Sequence, residues 1–84
     1  MFNLPLANPD FPVGRELTKS YSYGDKTSAD SAQLIVTDPD GRVVDASFER
    51  RGCTLYTTFV PYMEGQFKVF ETKFGCVKYL NCYE

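Results

Sequence analysis

The chain contains no histidine. That absence excludes imidazole acid–base chemistry, Ser–His and Cys–His nucleophile pairs, and mixed Cys/His zinc sites. Neither a G-x-G-x-x-G turn nor a Walker-type loop occurs, so no sequence element is built to cradle a nucleotide phosphate. No apolar run approaches the roughly 20 residues of a membrane-spanning helix. The opening stretch MFNLPLANPDFPVG lacks both a positive start and a continuous apolar stretch, and is not expected to act as a signal peptide. Cysteine is scarce and odd in number, three in 84 residues, whereas small secreted domains carry denser, even sets. The expectation is a reducing, cytoplasmic setting. Cys76 and Cys82, if on one extended strand, would sit roughly 20 Å apart, too far to bridge. Cys53 with Cys76 is the more feasible pair, and free thiols behaving as small apolar groups are the simplest reading.

Positive charge is also in short supply: nine Lys and Arg stand against eleven Asp and Glu, a net of −2. A nucleic-acid binder draws most of its affinity from phosphate neutralisation and is usually basic. The imbalance is local. Residues 1–45 hold four cations against seven carboxylates, and residues 46–84 hold five against four.

What the chain does have is aromatic side chains, seven Phe and six Tyr. Burying one Phe contributes roughly 1.5–3 kcal/mol, which supports a folded domain at a length where only one domain fits. Helical periodicity is absent over any span of ten residues, and period-two alternation is frequent. Residues 1–14, with Pro5, Pro9, Pro12 and Gly14, read as an irregular arm packed by Phe2, Leu4, Leu6 and Phe11. Residues 15–84 read as a single antiparallel β domain. RELTKSYSY places Leu17, Lys19, Tyr21 and Tyr23 on one face of a strand. GDKTSADSA reads as a loop, with a short helix near residues 27–34 as the alternative. The run Leu34–Thr37, the turn Asp38-Pro39-Asp40-Gly41 and the run through Phe48 read as a β-hairpin. A turn at Arg50-Arg51-Gly52 precedes CTLYTTFV, expected to be a central strand covered on both faces. Two further strands follow, QFKVFETKF and Cys76 to Tyr83. The sum is an all-β fold, a meander of five or six strands curling into a barrel or sandwich; one short helix would make it α+β.

Alternation in the last strands sets Phe67 and Val69 against Lys68 and Phe70. It sets Val77, Tyr79 and Tyr83 against Lys78 and Leu80. Lys68, Phe70, Lys73, Lys78, Tyr79 and Tyr83 are therefore the candidate residues for stacking a single-stranded nucleic acid. The segment EGQFKVFETKFG, with the length and the β-only pattern, resembles a G-x-[aromatic]-x-V strand in the small single-strand DNA-binding proteins of filamentous phages. The resemblance implies the same nucleic-acid reading, and no site residue is carried over from it.

The acidic balance and the missing catalytic groups point first to a different role. The expectation is a non-enzymatic protein without cofactor or metal that binds another protein. A phage or mobile-element inhibitor fits this description, blocking a host protein sterically or imitating nucleic acid toward it. Tyr21, Tyr23, Tyr56 and Tyr62 are the candidate anchors. Asp25, Asp30, Asp38, Asp40 and Asp45 are candidate phosphate mimics that steer toward a basic surface. A structural subunit of a homo-oligomer, such as a homodimer, is the third reading.

Overall fold

In the computed structural model, which describes residues 11–84, the alternating segments resolve into two sheets that face each other. Sheet A contains β1 (Phe11–Pro12), β7 (Val77–Tyr83), β6 (Gly65–Glu71) and β3 (Leu34–Thr37), in that order across the sheet. Sheet B contains β2 (Leu17–Ser22), β5 (Thr54–Phe59) and β4 (Ser47–Arg51). All pairings are antiparallel except β1 with β7. Residues 1–10, most of the arm expected from the sequence, lie outside the described residues; its later part supplies β1.

The core follows from period two. Phe67 and Val69 on β6, Leu34 and Val36 on β3, Leu80 and Cys82 on β7, and Leu17, Leu55 and Phe59 on sheet B are all buried between the sheets. Phe59 and Phe67 stack across the gap with centroids 5.6 Å apart. Alternation in the sequence separates the two faces of both last strands, but the stacking candidates include Lys78 and Tyr79 from opposite faces of β7, and burial of Leu80 and Cys82 shows that the Lys78 side is the inward one. β5 is central in sheet B, as expected, but is covered on one face only. Its other face is a solvent-facing row of hydroxyls, with Thr58 bonded to Thr18 at 2.8 Å and Thr54 to Ser22 at 3.1 Å.

The one helix among the described residues, α1 (Lys26–Ser31), fills the connection between β2 and β3. Its N-cap is Asp25, whose carboxylate accepts the Ser28 N–H at 2.7 Å, the standard device for an orphan helical donor. Ala29 and Ala32 are fully buried and tie the segment to the core.

The hairpin expected over residues 34–49 is corrected. Its turn forms as read: Asp38 accepts the N–H groups of Asp40 and Arg42, each at 2.9 Å, and Gly41 has φ +86°. Beyond it the two strands share a single bridge, Thr37 with Val43, before the chain leaves sheet A and enters sheet B as β4. β4 also runs on through Arg50 and Arg51, and the reversal is left to Gly52 at φ +57°.

Candidate functional site

Edge strands expose unpaired backbone groups, and a sandwich must cover them or use them. Three strand edges among the described residues are covered over at least part of their length. The outer edge of β7 is occupied by β1, and Val13 N–H extends the pairing to the Tyr83 carbonyl at 2.7 Å. Along β2 the ammonium of Lys78 donates to the Ser20 carbonyl at 2.6 Å and lies 4.6 Å from the Tyr21 ring centroid. Burial, then repulsion from Lys19, holds the Lys78 pKa below its ordinary value. The later half of β3 is covered by the crossing segment, where Val44 N–H donates to the Val36 carbonyl at 2.8 Å.

The earlier half of β3 and the whole of β4 are different. In an antiparallel pair, residues two apart point their backbone groups the same way. Leu34 therefore directs its N–H and C=O away from β6, as Val36 does. Across the gap, all five residues of β4 are exposed. Between these two edges lies a cleft of about 340 Å³, lined by Gln33, Leu34, Phe48, Glu49, Arg50, Leu55 and Tyr56. Leu34 and Leu55 are buried at its base, while Phe48 is 54% exposed. Phe48 pairs in register with the buried Thr57 on the sheet's inner face. It is a core-side residue left uncovered because sheet A does not reach it.

The charged side chains around the cleft are tied down within the fold. Arg50 donates to the Ala29 carbonyl at 3.1 Å and the Ala32 carbonyl at 2.7 Å, fastening the end of α1 to β4. Arg51 pairs with Glu49 at 2.8 Å and lies over the Tyr56 ring. The opening is thus apolar in its floor, and its rim carries the cation Arg50, whose partners are neutral carbonyls.

The anchors and carboxylates singled out from the sequence do not form one surface. Tyr21 and Tyr23 have their hydroxyls engaged inside the fold, on the Val69 carbonyl at 2.9 Å and on the Glu71 carboxylate at 2.7 Å. Burial, and then the negative charge of neighbouring groups, pushes the Tyr21 pKa up to about 12. Tyr62 donates to Asp38 and sets its ring edge-on to Phe67; Asp38 itself is buried. Asp25 caps α1 and Asp30 pairs with Lys26. Asp25 and Asp30 sit before β3, whereas Asp38, Asp40 and Asp45 follow it, so no continuous ring of carboxylates forms. Only Tyr56 of the nine lines the cleft.

Of the nucleic-acid candidates, Lys68, Phe70, Tyr79 and Tyr83 do share a face, the outer face of sheet A. Lys73 lies in the β6–β7 turn and donates to Ser31, and Lys78 points to the opposite side. Phe48, Leu34 and Leu55, the centre of the cleft, were not singled out from the sequence. Phe48 closes the run read as the second arm of the hairpin and Leu55 lies in the strand CTLYTTFV, but nothing local says that the covering sheet stops short.

No family model and no curated protein matches the chain. Among solved structures, the crystal structure of the Lin-41 filamin domain is similar, with a TM-score of 0.72 at 18% identity over 95% of this chain and 88% of that one. EGQFKVFETKFG is accordingly β6 and its turn in a two-sheet sandwich. At that identity the likeness speaks for architecture alone, a two-sheet β-sandwich similar to that filamin domain.

Proposed function

We propose that this chain is a non-enzymatic protein-binding module that takes an extended segment of its partner into the cleft between β3 and β4. The observation that carries the reading is the pairing of an open strand edge with an uncovered core-side ring: Leu34 offers backbone groups, and Phe48 offers apolar surface 54% exposed. Strand addition works in this way, with main-chain bonds to an edge supplying affinity and alternate side chains entering pockets. With its floor built from Leu34 and Leu55 and the exposed ring of Phe48 beside them, the cleft favours apolar side chains. The non-enzymatic part rests on the missing imidazole and on the two buried carboxylates. Asp38 and Glu71 are both engaged by backbone N–H groups and a tyrosine hydroxyl, which leaves neither poised to transfer a proton. Nucleic-acid mimicry is not part of this reading, because the carboxylates it needs are divided between the two ends of β3.

The test is affinity capture from the native source with the wild-type chain and with Phe48→Asp. Phe48 is half-exposed, so its replacement within β4 should cost about 1 kcal/mol of stability and leave the domain folded. As the central anchor it should weaken binding by about 2 kcal/mol or more. Partners retained by the wild type and lost from a folded Phe48→Asp variant support the proposal. Equal capture by both overturns it.

A further inference from the structure

A second surface lies on the other side of sheet A. Register places Ile35, Phe70 and Val77 in one row across β3, β6 and β7, and Thr37, Lys68 and Tyr79 in the next. The alternating burial of β6 and the buried Leu80 and Cys82 of β7 fix these residues on the outer face. The apolar ones are well exposed: Phe70 38%, Tyr79 46% and, farther along β7, Tyr83 45%. The Lys68 ammonium stands 5.8 Å from the Tyr79 ring centroid. The outward positions of these three strands carry no carboxylate, although carboxylates outnumber cations in the chain. Glu71 turns inward, while Glu64 precedes β6 and Glu84 follows β7.

We propose that this face is a second binding site, separate from the β3–β4 cleft, and that its ligand is a single-stranded nucleic acid. Phe70 and Tyr79 are diagonal neighbours, so their rings are close enough to receive adjacent unstacked bases. Lys68, between them, meets the backbone phosphate. Charge decides the ligand. A second copy docked face to face would bring Lys68 toward its own counterpart with no carboxylate on either surface to meet it. A ligand with flat apolar groups and negative charge is complementary. Stacking supplies most of the affinity here and one cation supplies the rest, so the site is tolerant of base sequence. Its salt dependence is shallow, with a log–log slope of about −0.7 for one neutralised phosphate.

The experiment is fluorescence anisotropy of labelled 12-residue oligouridine and oligothymidine with the wild type, Phe70→Ser, Tyr79→Ser, Lys68→Gln and Phe48→Asp, each checked for an unchanged circular dichroism spectrum. The expected result is saturable binding weakened about tenfold or more by Phe70→Ser and by Tyr79→Ser. Lys68→Gln should flatten the salt dependence, and Phe48→Asp should leave binding intact. That last control separates this site from the cleft, so either can fail alone. No saturable binding by the wild type, or binding indifferent to Phe70 and Tyr79, overturns the proposal. So does a wild-type dimer in sedimentation that Phe70→Ser dissociates, since the face would then belong to a second copy.

Discussion

Glu71 shows how much one side chain can organise in a chain this short. It is 1% exposed, and its carboxylate accepts the Tyr23 hydroxyl at 2.7 Å and the N–H groups of Lys73 at 2.8 Å and Phe74 at 2.9 Å. Burial pushes its pKa up, but the hydrogen bonds from Tyr23, Phe74, Cys76 and Lys73 outweigh burial and hold it below the ordinary value. Because the folded pKa is the lower one, the stabilisation is complete above the unfolded-state pKa and is lost as pH falls through the folded value. Glu71→Gln should therefore cost on the order of 2–3 kcal/mol at neutral pH. In urea titrations across the acid range, the gap between variant and wild type should narrow as pH falls; a constant gap would contradict the assignment. Thr57 is the opposite case. It is fully buried, and its hydroxyl oxygen has no hydrogen-bond partner among the described residues, a cost that an isosteric methyl group removes. Thr57→Val should raise stability by about 1 kcal/mol in the same measurement. Neither role was legible in the sequence, where Glu71 was one more charge in an aromatic run and Thr57 one more β-prone residue.

Among the elements, the connections were harder to read than the strands. The two faces of β6 and β7 follow from alternation alone, because side-chain direction repeats every two residues whatever the partner strand. Which face of β7 turns inward does not, and Lys78, a stacking candidate with Tyr79 and Tyr83, points the other way. The Asp38–Gly41 turn was legible for an equally local reason, since the side chain of Asp38 satisfies the turn's own backbone. What comes after the turn was not. Whether Val44 stays beside Val36 or leaves for the other sheet depends on which strand lies nearby, and β5 is ten residues further along the chain. That crossing creates the cleft, so the cleft too was hidden. Gly65 gives a direct check on how β6 begins. It has φ +132°, and a Cβ there would come within 2.6 Å of the Pro39 ring. Gly65→Ala should destabilise the fold by roughly 1–3 kcal/mol through strain and the clash with that turn. A thermal unfolding midpoint unchanged from wild type would show that β6 does not start against Pro39.

The whole molecule presents two unlike surfaces because its sheets differ in extent. Sheet A has β1 to cover β7, but stops at β3 before reaching Phe48. Sheet B ends in an exposed, charged β4 whose Glu49 and Arg51 pair with each other. The chain is acidic overall, yet its carboxylates are divided between caps, turns and buried networks, and the outer face of sheet A has none at its outward positions. Net charge is thus a poor guide to what either surface meets. The central claim, that the β3–β4 cleft receives an extended apolar segment, is tested most directly by selecting binders from a random linear peptide library and mapping one by backbone amide NMR. The account predicts apolar selected sequences, shifts concentrated at Gln33–Val36, Phe48–Arg50 and Leu55–Tyr56, and loss of those shifts in Phe48→Asp. Peptides that bind Phe48→Asp as well as wild type, or that shift residues away from these two edges, would contradict it.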